Sequence, residues 1–296
     1  MKIAIAGASG LIGSAFINSV EEDGAEVTRL VRSSPKAGEI EWHPNQDAID
    51  PEKLKGFDAI INLAGENVAE GRWTDEKKKK IHDSRVNGTH LISEAIAKLD
   101  PKPRTFLCAS ATGFYGDRPD ETVTEQSDSG GGFLAGVCRE WEKATEPASN
   151  AGVRVVNLRF GPVLAAHGGM MEKMLTPFKM GLGGKIGSGK QYISWVAIDD
   201  VVGAMKLALK GEAVRGPLNV VSPNPVTNEE FTKALGDALS RPTMMAVPAF
   251  AARLAFGEMA DEMLLASQRV LPKKLNDAGF QFEYANLNAA LRKYIG

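Results

Sequence analysis

Three glycines at G-x-x-G-x-x-G spacing, Gly7, Gly10 and Gly13, are the first residues of this 296-residue chain whose arrangement could do chemistry. Their missing side chains permit a tight turn, close approach of backbone to a pyrophosphate, and close packing of a helix on a strand. Ser9, Leu11 and Ile12 stand between them, so the candidate cradle is Gly7, Ser9, Gly10, Leu11, Ile12 and Gly13. Further on, about 20 residues after the glycines, Arg32 and Ser33 occupy the point at which such a cradle meets the adenosine ribose. An acid there bonds the 2′-hydroxyl of NAD, whereas an arginine accommodates the 2′-phosphate of NADP. No acid is present, and a guanidinium can clamp a phosphate through paired, charge-assisted bonds, so the expected cofactor is NADP(H). The plainer alternative is a solvent-facing arginine at a strand end.

A second cluster is Ser110-Ala-Thr-Gly-Phe-Tyr-Gly-Asp117, directly after the apolar run Thr105–Ala109. It sets the hydroxyl of Ser110 and the phenol of Tyr115 at a strand's carboxyl end, where a nicotinamide and its substrate meet, and these two are the candidate catalytic residues. The alternative is that Ser110 caps local amides and Tyr115 packs under a loop. Asp199-Asp200 read as the N-cap pair of a helix. Lys77 to Lys80 lack aromatic interleaving and read as a solvated helix face. His43, His82, His90 and His167 are scattered singly, so no metal site is expected. Cys108 and Cys138 lack C-x-x-C spacing and are expected as reduced thiols.

Strands and helices must hold these residues in place. Ile3 to Ala6 form an apolar run suited to a parallel strand buried on both faces. The helix from Leu11 to about Glu22, with Ile12, Phe16, Ile17 and Val20 on its apolar face, aims free N–H groups and its positive dipole end at a bound anion. Glu26–Val31 and Ile40–Trp42 read as strands, and Phe57–Gly65 as another whose small end, Leu63, Ala64 and Gly65, lets a dinucleotide lie against the sheet. Thr74 should cap the helix bearing the lysines, and a further helix is expected from about Val86 to Lys98. Val153–Arg159 and Leu218–Val221 complete the strands, and Thr227–Glu230 reads as a capping box.

The implied fold is α/β, a Rossmann-type doubly wound parallel sheet with a small, mostly helical C-terminal substrate lobe. Residues 1–165, with 195–222 returning, are assigned to the NADP-binding domain, and 166–194 and 223–296 to the substrate or cover lobe. Glycines on both sides of Met170–Met180 suggest a mobile cover there. The tail from Val247, with Phe250, Leu254 and Phe256, is expected to roof the crevice and offers a contact for a homodimer. A formal charge of −2 supplies no field for nucleic acid or an anionic membrane, so the expected partner is a small-molecule substrate. With its first strand beginning at residue two and no apolar run of membrane length, the chain reads as soluble and cytoplasmic.

Taken together, Gly7-Ala-Ser-Gly-Leu-Ile-Gly13, Asn62-Leu-Ala-Gly65, Ser84-Arg85 with Gly88-Thr89, and Ser110-Ala-Thr-Gly-Phe-Tyr-Gly116 resemble the extended short-chain dehydrogenases, the sugar-nucleotide epimerase superfamily. Phe133-Leu134 with Trp141-Glu142, Pro177–Gly184, Ile186–Gly189 and Gly279–Phe282 narrow the resemblance to the atypical epimerase family protein group, short-chain dehydrogenase 39U-like. The resemblance spans Lys2 to about Leu291 and implies an NADP-binding Rossmann domain with a small C-terminal lobe. It also implies that Phe160–Leu164, Val163 included, passes the nicotinamide, and that Arg85, replacing an asparagine, adds an anion contact near the cofactor. The superfamily's catalytic Tyr-x-x-x-Lys pair is missing: matching Glu142 to the acid that follows it sets Leu134 and Cys138 at those positions. Leucine carries no proton and cysteine no permanent positive charge. Two functions follow as expectations. One is an NADP(H)-dependent oxidoreductase acting by hydride transfer on a small or nucleotide-linked substrate; the other is an NADPH-binding or sensing protein without turnover.

Overall fold

Ile3, Ala4, Ile5 and Ala6 are all buried, and the strand they form lies in the middle of the sheet, paired in parallel with a neighbour on each side. In the computed structural model, which describes residues 1–46 and 48–295, the elements begin with β1 (Lys2–Ala6), α1 (Leu11–Glu22), β2 (Glu26–Val31), β3 (Ile40–His43), β4 (Ala48–Ile49) and β5 (Ala59–Asn62). Next come α2 (Asp75–Ala97), β6 (Thr105–Ala111), β7 (Arg118–Val123), α3 (Phe133–Lys143), α4 (Glu146–Asn150), β8 (Arg154–Phe160) and β9 (Val163–Leu164). The remainder is α5 (Gly169–Lys179), β10 (Tyr192–Ile193), β11 (Val196–Ala197), α6 (Ile198–Lys210), β12 (Gly216–Val220), β13 (Val226–Thr227) and α7 (Asn228–Leu239). Then follow α8 (Ala249–Phe256), a π-helical turn (Ala260–Leu265), β14 (Gln268–Val270), α9 (Lys273–Asp277) and α10 (Leu287–Ile295).

The main sheet has the order β12-β8-β6-β5-β1-β2-β3-β4, parallel throughout except for the β3–β4 edge pair. The chain builds outward from β1 on one side, then crosses back to start the other side at β5, so the order reverses between β1 and β5. Open α/β sheets bind ligands at such a switch point, beyond the carboxyl ends of the strands. Apolar side chains cover both faces: one core gathers Phe16, Ile17, Val201 and Met205 over Ile5 and Leu158, the other Trp42, Ile92, Ile96 and Trp141 over Ile60 and Phe106.

Several local expectations change. The lysine segment and the Val86–Lys98 segment form one continuous helix, α2, begun by Thr74, whose hydroxyl accepts the Lys77 amide at 3.2 Å. A Cβ on Gly88, in its middle, would lie 3.3 Å from the Trp42 ring, so the glycine gives that ring room without a shift. Met170–Met180 lies mostly within α5, whose Met171 and Phe178 are buried with Trp195, Phe231 and Leu291. Asp199 and Asp200 sit inside the first turn of α6, not at its cap. Asp200 accepts the amides of Glu283 and Tyr284 at 2.7 and 3.1 Å, and Asp199 accepts the Tyr294 hydroxyl at 2.9 Å, so the pair ties α6 to the segment around α10. Thr227 and Glu230 make both bonds of the capping box that starts α7. The parallel β7–β14 pair joins the chain's middle to its tail, and nothing in the local pattern pointed to it. On α8, Phe250 and Leu254 are 71% and 76% exposed. Among the described residues no helix is long and apolar enough to cross a membrane.

Candidate functional site

Gly7 ends β1 at φ +81°, and a Cβ on it would lie 2.6 Å from the carbonyl carbon of Leu63, so the turns after β1 and β5 touch only because this residue is glycine. Gly13 lets α1 pack on the same turn, since a Cβ there would collide with the Gly7 carbonyl oxygen. Gly10 is the N-cap of α1, donates its amide to the Gly7 carbonyl at 3.1 Å, and brings no side chain to the helix start. The first-turn amides therefore have no side-chain cap, and an anion suits them. Ser9 and Gly10 are exposed, while Leu11 and Ile12 are half-buried. Leu63 and Ala64 line the other wall, half-buried, and Gly65 beyond them is open to solvent. Asn62, quoted in the motif but not singled out, fixes this wall: buried, it accepts the Ala64 amide at 3.1 Å and donates to Thr89 Oγ1 at 2.9 Å. Arg32 and Ser33 are exposed at the end of β2, one strand beyond the glycine turn, and Val163 is half-buried in β9. These residues fit a dinucleotide diphosphate: a positively polarised helix end, a floor without side chains, and a guanidinium to one side.

The amino-terminal half of α2 faces the opposite flank. Lys77 is largely buried and pairs with Glu66 at 2.6 Å, holding that carboxyl below its usual range. Lys78 pairs with Glu258 at 2.8 Å and covers the Phe133 ring, 4.7 Å from its centre. Two of the four lysines thus make tertiary contacts, which corrects the reading of a solvated face. Arg85, two turns beyond Lys77, is half-buried against Gly65 and stacks on Trp141 at 5.1 Å. Burial lowers its pKa from the ordinary arginine value.

Ser110 stands at the carboxyl end of β6 and Tyr115 in the turn directly beyond it, as expected, and both side chains are turned inward. Ser110 is 2% exposed and donates to Glu142 Oε1 at 2.7 Å; Tyr115 is 0% exposed, donates to Asn219 Oδ1 at 2.7 Å and accepts from Arg159 Nη1 at 2.9 Å. Arg159 closes the network with two bonds to Glu142, at 2.7 and 2.8 Å, and lies over the Phe114 ring, 3.5 Å from its centre. Desolvation raises the pKa of the Tyr115 phenol, opposed by Arg159. Both hydroxyls are bonded between β6, β8, β12 and α3 and help to hold the sheet to α3, the packed alternative that the sequence also offered. The signal that local pattern lacked is the pairing of Ser110 with Arg159 across β6 and β8.

α3 carries Leu134, Cys138 and Glu142 at successive four-residue steps. Leu134 packs among Val68, Trp73, Ile81, Phe133 and Met259, an apolar cluster. Cys138 is buried, and desolvation pushes its thiol up to about 11, which argues against a nucleophile. Glu262 from the π-helical turn accepts the amides of Phe133 and Leu134 at 3.0 and 3.1 Å, docking the C-terminal segment on the start of α3. Hollows lined by Asp23 and Lys206, or by Glu26 and Lys55, lie at the amino ends of the strands, the end of an open parallel sheet that does not take ligands.

The profile of the NAD dependent epimerase/dehydratase family matches residues 3–220, which run from the glycine cradle through β12. The chain belongs to this family. A domain of unknown function, DUF1731, matches residues 247–294, so the family member carries the C-terminal segment docked by Glu262. An epimerase family protein of Mycobacterium bovis is 44% identical over 290 residues, 98% of this chain and 96% of that protein. The human epimerase family protein SDR39U1 is 35% identical over the full length of both chains. Its crystal structure with NADPH superposes with a TM-score of 0.91 at 32% identity, covering 100% of this chain and 99% of that one. A nucleoside-diphosphate sugar epimerase of Corynebacterium glutamicum gives a TM-score of 0.84 at 38% identity, covering 100% of this chain and 58% of that one. The family member is thus an SDR39U1-like α/β protein with a Rossmann-like sheet and a C-terminal DUF1731 region.

Proposed function

We propose that this chain is an NADP(H)-dependent oxidoreductase acting on a small or nucleotide-linked substrate. The observation that carries the reading is the side-chain-free cradle of Gly7, Gly10 and Gly13 under the uncapped start of α1, with Arg32 one strand away. Ser9, Leu11 and Ile12 complete the diphosphate cradle, Arg32 and Ser33 take the 2′-phosphate, and Leu63, Ala64, Gly65 and Val163 line the walls. Bound there, NADPH supplies a hydride. Arg85 lies toward the nicotinamide half, and the NADPH seen with human SDR39U1 supports the same cofactor here. Any homodimer contact is assigned to the exposed face of α8.

The sealed positions of Ser110 and Tyr115, and the apolar packing of Leu134, favour a second reading, NADPH binding or sensing without turnover. A fluorescence titration of the purified chain with NADPH and NADH decides the cofactor. Tighter binding of NADPH by about tenfold is expected from one charge-assisted phosphate clamp, and a preference for NADH would overturn the role of Arg32. Oxidation of NADPH by any member of a carbonyl and sugar-nucleotide panel supports the enzyme, and tight binding without oxidation across the panel supports the sensor.

A further inference from the structure

Arg85 is a cation with more donors than partners. Among the described residues its guanidinium makes one hydrogen bond, from Nη1 to the Ile81 carbonyl at 3.1 Å, and no ion pair. Glu66, whose charge reaches it, is already bonded to Lys77 at 2.6 Å. The guanidinium is nonetheless held firmly: it extends from the 23-residue helix α2, stacks on Trp141 at 5.1 Å, and lies 3.3 Å from where a Cβ on Gly65 would stand. A glycine at 65 therefore opens the strand end to the charge. A half-buried guanidinium with most of its donors free is predisposed to take an anion, and the planar fork matches a carboxylate or phosphate with two parallel bonds.

The sheet order says which anion this is. Across the switch point the strands run β6-β5-β1-β2. Arg32 closes β2 on one flank of the glycine turn, and Gly65 with Arg85 stands beyond β5 on the other. A dinucleotide with its 2′-phosphate at Arg32 and its diphosphate over Gly7–Gly13 has spent all its phosphates before it reaches β5. The half that continues toward β5 and β6 carries a ribose and a nicotinamide, with no negative charge for a guanidinium.

We infer that Arg85 anchors an oxyanion of the substrate, a carboxylate or phosphate group held beside the nicotinamide half of the cofactor site. This rests on the NADP(H) reading above and names its substrate class as anionic. In that position the guanidinium, without a bound anion, disfavours the positively charged ring of NADP⁺ relative to the neutral ring of NADPH, so it biases which form of the cofactor binds.

The test uses the full chain saturated with NADPH and titrated separately with oxalate and inorganic phosphate, read by cofactor fluorescence and by calorimetry. Binding of either anion to the NADPH-loaded chain is expected, oxalate alone marking a carboxylate and phosphate alone a phosphoryl group. Arg85→Gln should weaken it by about tenfold, the loss of one charge-assisted pair, and Arg85→Lys by less. NADPH affinity should fall far less than anion affinity in both variants. As a second measurement, the preference of the wild-type chain for NADPH over NADP⁺ should shrink in Arg85→Gln and persist in Arg85→Lys, a comparison that needs no substrate. Equal anion binding by wild type and Arg85→Gln, competition between oxalate and NADPH, or no anion binding at all would overturn the inference. Failure of the wild-type chain to bind NADPH would remove the underlying reading instead, and the inference with it.

Discussion

At the scale of single residues, Tyr115 is the hub of a buried hydrogen-bond network. Its hydroxyl donates to Asn219 and accepts from Arg159, and the guanidinium is in turn held by both oxygens of Glu142, at 4% and 13% side-chain exposure. A buried pair of this kind contributes little relative to apolar packing, yet losing one partner costs about 3–5 kcal/mol because the other charge is stranded. Tyr115→Phe keeps the ion pair and removes two hydrogen bonds, so thermal unfolding should register a loss of about 1–2 kcal/mol. NADPH titration of the same variant should match the wild type, since the phenol is sealed from the crevice. A variant of unchanged stability that fails to bind NADPH would contradict the structural role given to Tyr115.

At the scale of elements, α2 and α3 pack side by side, and His82 links them. Its Nδ1 lies 2.9 Å from Asp83 Oδ1 and its Nε2 2.8 Å from Glu140 Oε2 on α3. Burial draws the imidazole pKa down, but the hydrogen bonds and charges of Glu140 and Asp83 outweigh it, and the net direction is upward. A raised folded-state value means that the link's full contribution is present below the unfolded pKa, about 6.5, and is lost as the pH rises through the folded value. The melting-temperature difference between wild type and His82→Asn should therefore be largest in mild acid and shrink through neutrality. A difference independent of pH would show that His82 links the helices without its charge. Lys79 faces the same Asp83 carboxylate, so the comparison is made against the variant and not against absolute stability.

At the scale of the whole molecule, the stretch of the DUF1731 segment from Glu258 to Val270 is fastened to the family core by polar contacts from several elements. Glu262 takes two amides at the start of α3, where the helix dipole adds to the attraction. Lys78 holds Glu258, and β14 pairs with β7. Removing the carboxylate in Glu262→Ala leaves the α3 amides without that partner, at a cost of about 1–3 kcal/mol. Hydrogen exchange should then quicken in the Ala260–Leu265 turn and the first turn of α3, while β1, β5 and β6 keep their protection. Unchanged exchange in the turn would mean that Lys78, β14 and the apolar cluster around Met259 suffice to hold it.

The central strands of the sheet, the glycine turn and the Thr227 capping box were legible in the sequence itself, whereas the empty Tyr-x-x-x-Lys positions came from the family resemblance. The first three rest on contacts within a few residues, or on the fixed period of strand and helix. Those local rules also set Arg32 at a strand end and the α1 start over the cradle. What the tertiary structure alone decided is where polar side chains found partners far along the chain. Ser110 and Tyr115 met Glu142, Arg159 and Asn219 from three other elements and were drawn inward. Lys77 met Glu66, Asp200 met the loop before α10, and Arg85 met no carboxylate among the described residues. A lone sequence gives the chemistry of each group but not the distance to its counter-charge, and in a low-dielectric interior that distance decides whether a side chain is sealed or left free to take a ligand.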